Sequence, residues 1–184
     1  MGIFSSLSAI PAIANFNLND KDLSKKVIKI GTWEGKAIEW IILKEENGGL
    51  LLLSKTILFQ SKYDDDSNNW KQSYICKYLN NEFYDTAFST SEKKAIINAK
   101  LEDVQNAKSD VFLLSRNEAE NLLDNSLRAI GVWLLRTPWD GGGNHRILRV
   151  LDDGRLSLNN NGYSGSCDVS IVYGIRPAMY IREK

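Results

Sequence analysis

A single histidine, His145, and two cysteines, Cys76 and Cys167, are all that this 184-residue chain has of the residue types that most often build catalytic and metal sites. A closed tetrahedral zinc site draws four Cys or His ligands together, and one histidine with two distant cysteines supplies that set poorly. A Ser–His–Asp or Cys–His arrangement has to run through His145, with Asp140 or Asp168 orienting it and Cys167 or a serine attacking. Nothing in the spacing around His145 supports this. The two cysteines lie far apart in sequence and suggest no disulfide framework; a single bridge between them is the alternative to two free thiols in a reducing cytoplasm, which are the expectation.

Charge of one sign is missing too. Lys+Arg and Asp+Glu both number 23, so no basic excess is present to neutralise phosphates. The expectation is no nucleic-acid partner. Long hydrophobic runs are absent as well. The opening "MGIFSSLSAIPAIANFNLND" has no basic residue before Lys21, and Pro11 and Asn15 interrupt it. It fits neither a secretory signal nor a membrane span, which makes the cytoplasm the default location, with export by another route or within an assembly left open. Gly2 with Ser6 fits the short myristoylation pattern. The plainer reading of residues 1–25 is a tail or docking helix whose Ile3, Phe4, Leu7 and Ile10 pack on the domain or a partner. Residues 26–184 are enough for one domain with a sizeable core.

The remaining chain reads as mixed α and β. "KVIKIG" and "KAIEWIIL" flank the turn-like "TWEG", and "GGLLLLSK" follows an Asn-Gly-Gly turn with apolar residues on both faces, the pattern of a buried strand. These three segments predict an antiparallel meander. Helices are predicted near 73–85, with Ser73 as N-cap, near 90–100 behind the capping box Ser89–Glu92, and near 116–125 behind Ser115–Glu118. Asp153-Gly154 between alternating apolar residues predicts a hairpin. A last strand is expected near 174–181, with Pro177 at an edge or bulge.

Few motifs carry chemistry. Gly141-Gly142-Gly143 lacks the lysine and the following helix of a phosphate-binding loop, and reads as a flexible connection. Asp64-Asp65-Asp66 with Asn68 and Asn69 clusters oxygens but lacks the central glycine and terminal glutamate of a calcium loop, so a solvated acidic loop is the plainer reading. Trp40 and Trp133 sit in apolar runs and should be core. Trp70, Trp139, Tyr163 and Tyr173 border polar loops, where rings either pack locally or contact a ligand.

The order of "IEWIIL…GGLLLLSKTIL", "YLNNEFYDTAFSTSEK", "VFLLSRNEA", "WLLRTPW", "DDGRLS" and "YGIRPAMYI" resembles a bacterial domain family of unknown function. Members of that family read W-x-V-L, S-x-I-R-x-W-L-N, F-L-L-S, W-W-L-R-S-P-G, D-G and Y-G-V-R-P-A-L-W-I. The resemblance runs from about residue 36 to 182. The closing elements are also similar, more loosely, to C-type-lectin-like domains of the formylglycine-generating-enzyme type. That likeness implies a single compact α+β domain of small twisted antiparallel sheets, helices and long loops, with its N- and C-terminal strands adjacent. It also implies that Arg136 and Arg176 are buried or half-buried cations bonding loop carbonyls. Departures limit what carries over. The paired cysteines of sulfatase-activating enzymes are reduced to Cys167, and the sugar- and calcium-binding triplets of animal lectins are missing. Thr137 and Trp139 flank Pro138 where the family has serine and glycine.

Function then reads as a non-catalytic binding or display module, without cofactor or metal, that recognises a protein or carbohydrate through its C-terminal loops. The expected patch is Trp139, Asn144, His145, Asn160, Asn161, Tyr163 and Asp168, all exposed. These loops pair adaptable polar side chains with aromatic anchors. The alternatives are an enzyme centred on His145, Asp140 and Cys167, or a structural subunit of a phage-derived assembly docked through residues 1–25.

Overall fold

The computed structural model describes residues 27–182 apart from Asn47, Asn106, Gly142 and 157–165. The expectations for residues 1–25 lie outside the described residues. The predicted meander is present as β1 (Val27–Trp33), β2 (Lys36–Glu46) and β3 (Gly49–Ser54). Only Glu34 and Gly35 separate β1 from β2, with φ of 48° and 76°. Two consecutive left-handed residues make the turn whose twist matches the flanking strands. All six residues of β3 are buried, because β3 lies between β2 and the last strand, β13 (Ala178–Arg182).

The far edge of β13 is shared by two short strands. β5 (Ile96–Ile97) pairs with Tyr180 and Ile181, and β8 (Val111–Phe112) pairs with Ala178 and Met179. The first sheet therefore runs β1-β2-β3-β13-β5, with β8 also on β13. The C-terminal strand thus joins the N-terminal meander at β3, two strands away from β1. This corrects the expected pairing of first and last strands.

A second sheet runs β11-β10-β9-β12-β4, built from β4 (Phe59–Ser61), β9 (Trp133–Pro138), β10 (Arg146–Val150), β11 (Ser166–Asp168) and β12 (Tyr173–Ile175). β6 (Ala99–Leu101) and β7 (Ala107–Ser109) form a separate pair. The chain crosses between the two large sheets four times: after β3, between β4 and β5, between β8 and β9, and at Arg176-Pro177 between β12 and β13. The expected last strand is therefore two strands. Proline has no N–H for a ladder, and the break falls at that residue.

The first predicted helix runs from α1 (Tyr74–Tyr78) through a π-turn at Leu79–Phe83 into α2 (Tyr84–Ala87). Its N-cap is Ser73, which accepts from Cys76 N–H at 3.2 Å. Asn80 sits in the π-turn. Its side chain donates to Val111 O at 2.9 Å and accepts from Asp110 N–H at 2.8 Å, tying the helix to β8. Both capping boxes are formed. The one at Ser115 opens α4 (Arg116–Leu122), which α5 (Asn125–Arg128) follows. The one at Ser89 opens only a single turn, α3 (Thr90–Lys93), and the predicted helix over 90–100 is not there. Its second half is β5 and β6 instead. Ile96 and Ile97 satisfy the open edge of β13, and Arg182 N–H donates to Ala95 O at 2.8 Å. Sheet pairing overrides a weak local preference in this segment.

The Asp153-Gly154 turn is also present, but among the described residues only a single bridge, Val150 to Leu156, continues it. β10 pairs with β9 and β11 instead. The turn docks on α5: Asn125 donates to Asp153 O at 3.1 Å and Arg128 Nε to Gly154 O at 2.9 Å. One core joins the sheets and helices, with Trp40, Trp133, Phe83 and Phe112 wholly buried. No helix of the described residues is long and apolar enough to cross a membrane.

Candidate functional site

Trp133, Leu134 and Leu135 are buried, as an apolar run inside a central strand should be. Arg136, next on β9, is 2% exposed yet ionic. Its Nε and Nη2 donate to Asp103 Oδ1 at 2.8 and 2.6 Å, and its Nη1 donates to Glu118 Oε2 and Leu113 O, both at 2.7 Å. The guanidinium also lies 5.4 Å from the centre of the Phe112 ring. The resemblance implied a cation on loop carbonyls; the structure provides one carbonyl and two carboxylates.

Arg176 is 1% exposed and fits that implied role more closely. It donates to Ser54 O at 2.8 Å, Leu127 O at 2.7 Å and Lys55 O at 3.4 Å, and it stacks over Trp133 at 5.1 Å. Burial pulls its pKa down to about 10, which leaves it charged at neutral pH. Arg176 holds together two of the four crossings, β3 to β4 and β12 to β13, because Ser54 and Lys55 leave the first sheet where Arg176 enters it.

The described members of the expected recognition patch meet at one end of the second sheet. Trp139 N–H donates to Arg146 O at 3.2 Å, Val169 N–H to His145 O at 3.0 Å, and Asn68 N–H to Asn144 O at 2.6 Å. The Asn68 side chain adds bonds to Gly143 O and Arg146 O at 3.3 and 3.0 Å. The acidic loop therefore clamps the glycine loop. Asn144 and His145 are exposed, whereas Trp139 and Asp168 are half-buried rather than exposed as expected. Trp139 packs on the core margin, with the Arg146 guanidinium 5.5 Å from its ring centre. A side chain on Gly141 would overlap that indole, which explains the small residue there. Asp168 accepts from Ser170 N–H and Oγ at 3.0 and 2.7 Å, and these bonds hold its carboxyl below the usual aspartate range. Asn160, Asn161 and Tyr163 lie outside the described residues.

Ile171 and Val172, on the turn after Asp168, are 47% and 54% exposed. They are the most exposed large apolar side chains among the described residues, and the sequence reading did not single them out. Trp70 is a core residue and donates to Ser109 Oγ at 3.2 Å. Tyr173 is half-buried and bonds Arg149. Both rings pack locally. Asp64 uses its carboxylate on the main chain, accepting from Tyr74 N–H at 2.7 Å and Asp66 N–H at 3.2 Å. That carboxylate caps α1.

Cys76 and Cys167 are both free. Cys167 is buried, with its thiol 3.8 Å from Ile147 O, and burial pushes its pKa up to about 11. At neutral pH the nucleophilic thiolate is then a trace species. Among the described residues, no group of three or more His, Cys, Asp or Glu side chains is placed to hold a metal.

A second concave feature was not foreseen. A cleft of about 480 Å³ opens beside Arg136, between one face of the first sheet and the start of α4. Lys44, Glu46 and Tyr180 form one wall, and Asp103, Asn117 and Glu118 belong to another. Their positions come from β2, β13, the turn after β6, and α4. Only the fold brings them together.

No curated protein and no solved structure matches the chain. The α+β class with several antiparallel sheets is what the structure gives; a C-type-lectin fold is not confirmed. The sequence profile of one domain family, DUF6273, matches residues 47–183, a span that takes in β3 through β13. By that match the chain belongs to the family described as domain of unknown function DUF6273.

Proposed function

We propose that this domain is a non-catalytic recognition module that binds a protein or glycan partner on the loop end of its second sheet. The observation that carries this reading is the convergence of Trp139, Asn144, His145 and Asp168 on a main chain pinned by β9–β10 pairing and by Asn68. Loops held by a rigid scaffold lose little freedom on binding, so more of the contact energy is realised as affinity. The adjacent Ile171 and Val172 favour a protein, since exposed apolar side chains beside a polar rim suit a protein interface. The buried, protonated Cys167 weighs against the form of the enzyme reading in which that thiol is the nucleophile.

The test is a screen of displayed peptides and an array of glycans, followed by Trp139→Ala, Tyr163→Ala and a combined Ile171→Ser, Val172→Ser variant. A partner found with the parent should lose most of its affinity in these variants. If all of them fold and bind every such partner as the parent does, the loop end is not the recognition surface. Any turnover abolished by His145→Ala or Cys167→Ala would instead support the enzyme.

A further inference from the structure

We infer that the cleft beside Arg136 is a second binding site, separate from the loop end, and that its ligand is an uncharged polyhydroxylated ring, a single saccharide unit. None of the loop-end residues lines it. Its volume of about 480 Å³ lies within the range of pockets that enclose small organic ligands, ~300–1,000 Å³.

The charges in the cleft argue for the ligand class. Three cations and four carboxylates line it, and most are already spent on each other. Lys44 pairs with Glu46 at 2.6 Å, while Arg136 holds Asp103 and Glu118. An anionic ligand would meet carboxylates whose cations are committed. A cationic one would have to lie against the Arg136 guanidinium, which offsets one of the two carboxylates it binds and leaves a single net negative charge. Among the described residues Lys100 and Glu102 have no ion-pair partner, but both are exposed and of opposite sign, so the charge left over in the cleft is one and does not by itself select an ion.

Hydrogen-bonding capacity is what remains. Arg136 takes Asp103 through Oδ1 only and Glu118 through Oε2 only. Among the described residues, Asp103 Oδ2 and Glu118 Oε1 keep their lone pairs, fixed in orientation by one buried cation. Among the described residues, Arg136 Nη2 keeps one N–H beyond its bond to Asp103. Asn117 accepts from Asn121 through Oδ1 at 2.8 Å, which leaves its own amide N–H groups to donate. Fixed acceptors and donors side by side match hydroxyl groups, each of which donates and accepts. The walls are pre-organised, so little ordering cost falls on binding. Tyr180, half-buried against Phe112 with ring centres 6.0 Å apart, supplies an apolar ring surface for the C–H face of a sugar.

The experiment is an amide NMR titration of the full chain with glucose, galactose, mannose and N-acetylglucosamine, with putrescine and inorganic phosphate as charged probes. At least one sugar should give saturable shifts at the amides of Asn98, Asn117 and Tyr180. Tyr180→Leu should weaken that binding by about tenfold or more. Asn117→Ala, at an exposed position outside the core, should weaken it with unchanged thermal stability, which guards against a folding defect in the first variant. The inference is overturned if no sugar gives saturable shifts at those amides, if putrescine or phosphate binds there instead, or if binding survives both variants. Trp139→Ala should leave sugar binding intact; a loss would place the sugar on the loop end.

Discussion

Arg136 Nη1 donates to the same Glu118 oxygen, Oε2, that accepts the Ser115 N–H of the α4 capping box, at 2.7 and 2.8 Å. One carboxylate oxygen thus ends a helix and anchors a buried cation of the neighbouring strand. Asp103 closes the arrangement from the turn after β6. Helix start, strand and turn depend on one another through this group.

Arg136→Leu should therefore destabilise by roughly 2–4 kcal/mol in chemical denaturation. It leaves Leu113 O without its buried donor and Glu118 without its cation. The Asp103 side chain is 33% exposed, so water recovers part of the loss there. Arg136→Lys should recover less than half, because one ammonium cannot span acceptors on three elements. An unchanged midpoint for the leucine variant would mean that the network contributes no net stability.

Acid should weaken the fold through Asp64 and Glu92. Burial works to raise both carboxyls, but hydrogen bonds outweigh it. For Asp64 the donors are main-chain N–H groups including those of Asp66 and Tyr74, and for Glu92 they are Ser89 and Gly31 N–H. Both end below their ordinary values of 3.8 and 4.5. A depressed acid stabilises the fold above its unfolded pKa and loses that contribution as pH falls through the lower folded value. Denaturation midpoints should accordingly hold steady from neutral pH and decline below about pH 4.5. Asp64→Asn with Glu92→Gln should flatten that decline, and an equal slope in the double variant would assign the acid sensitivity elsewhere.

Cys167 should resist alkylation by iodoacetamide in the native protein at neutral pH and react on unfolding. Its thiol is buried and protonated, with a pKa of about 11. Cys76, half-buried, should react first, although burial raises its pKa as well. Peptide mapping after brief labelling measures both. Prompt labelling of Cys167 would reveal opening of the β10–β11 edge and would revive a nucleophilic role.

Gly141→Ala should move the Trp139 indole, because the new methyl group would occupy the space of that ring. The position is exposed, so the expected cost in stability is below about 1 kcal/mol. The readout is a change in tryptophan fluorescence and weaker partner binding at an unchanged melting temperature. Unaltered fluorescence would show that the ring does not rest on this glycine.

The local signals were legible in proportion to how local their physics is. Ser115–Glu118 and Ser89–Glu92 each formed their capping box, because three residues of chain suffice to bring both groups together. β3 read as buried from four consecutive leucines, since no solvent-facing alternation is possible for a strand paired on both sides. Trp133 and the burial of Arg136 were likewise readable, the latter from the family resemblance.

The length of α3 and the partner of β10 were not legible. Ile96 and Ile97 became strand because β13, some eighty residues later, offered an open edge. Asp153-Gly154 made its turn as the dipeptide predicts, yet α5 took the turn and β11 took β10. Asp103, Tyr180 and Lys44 carry no pattern that marks them, and they border one cleft only through the placements of the turn after β6, β13 and β2. The sequence by itself determined caps, turns and which strands are wholly apolar, because those depend on neighbours a few residues apart. The tertiary structure alone decided which carboxylates meet Arg136 and which edge each short strand completes, because those contacts join segments that compete for the same unsatisfied hydrogen bonds across the chain.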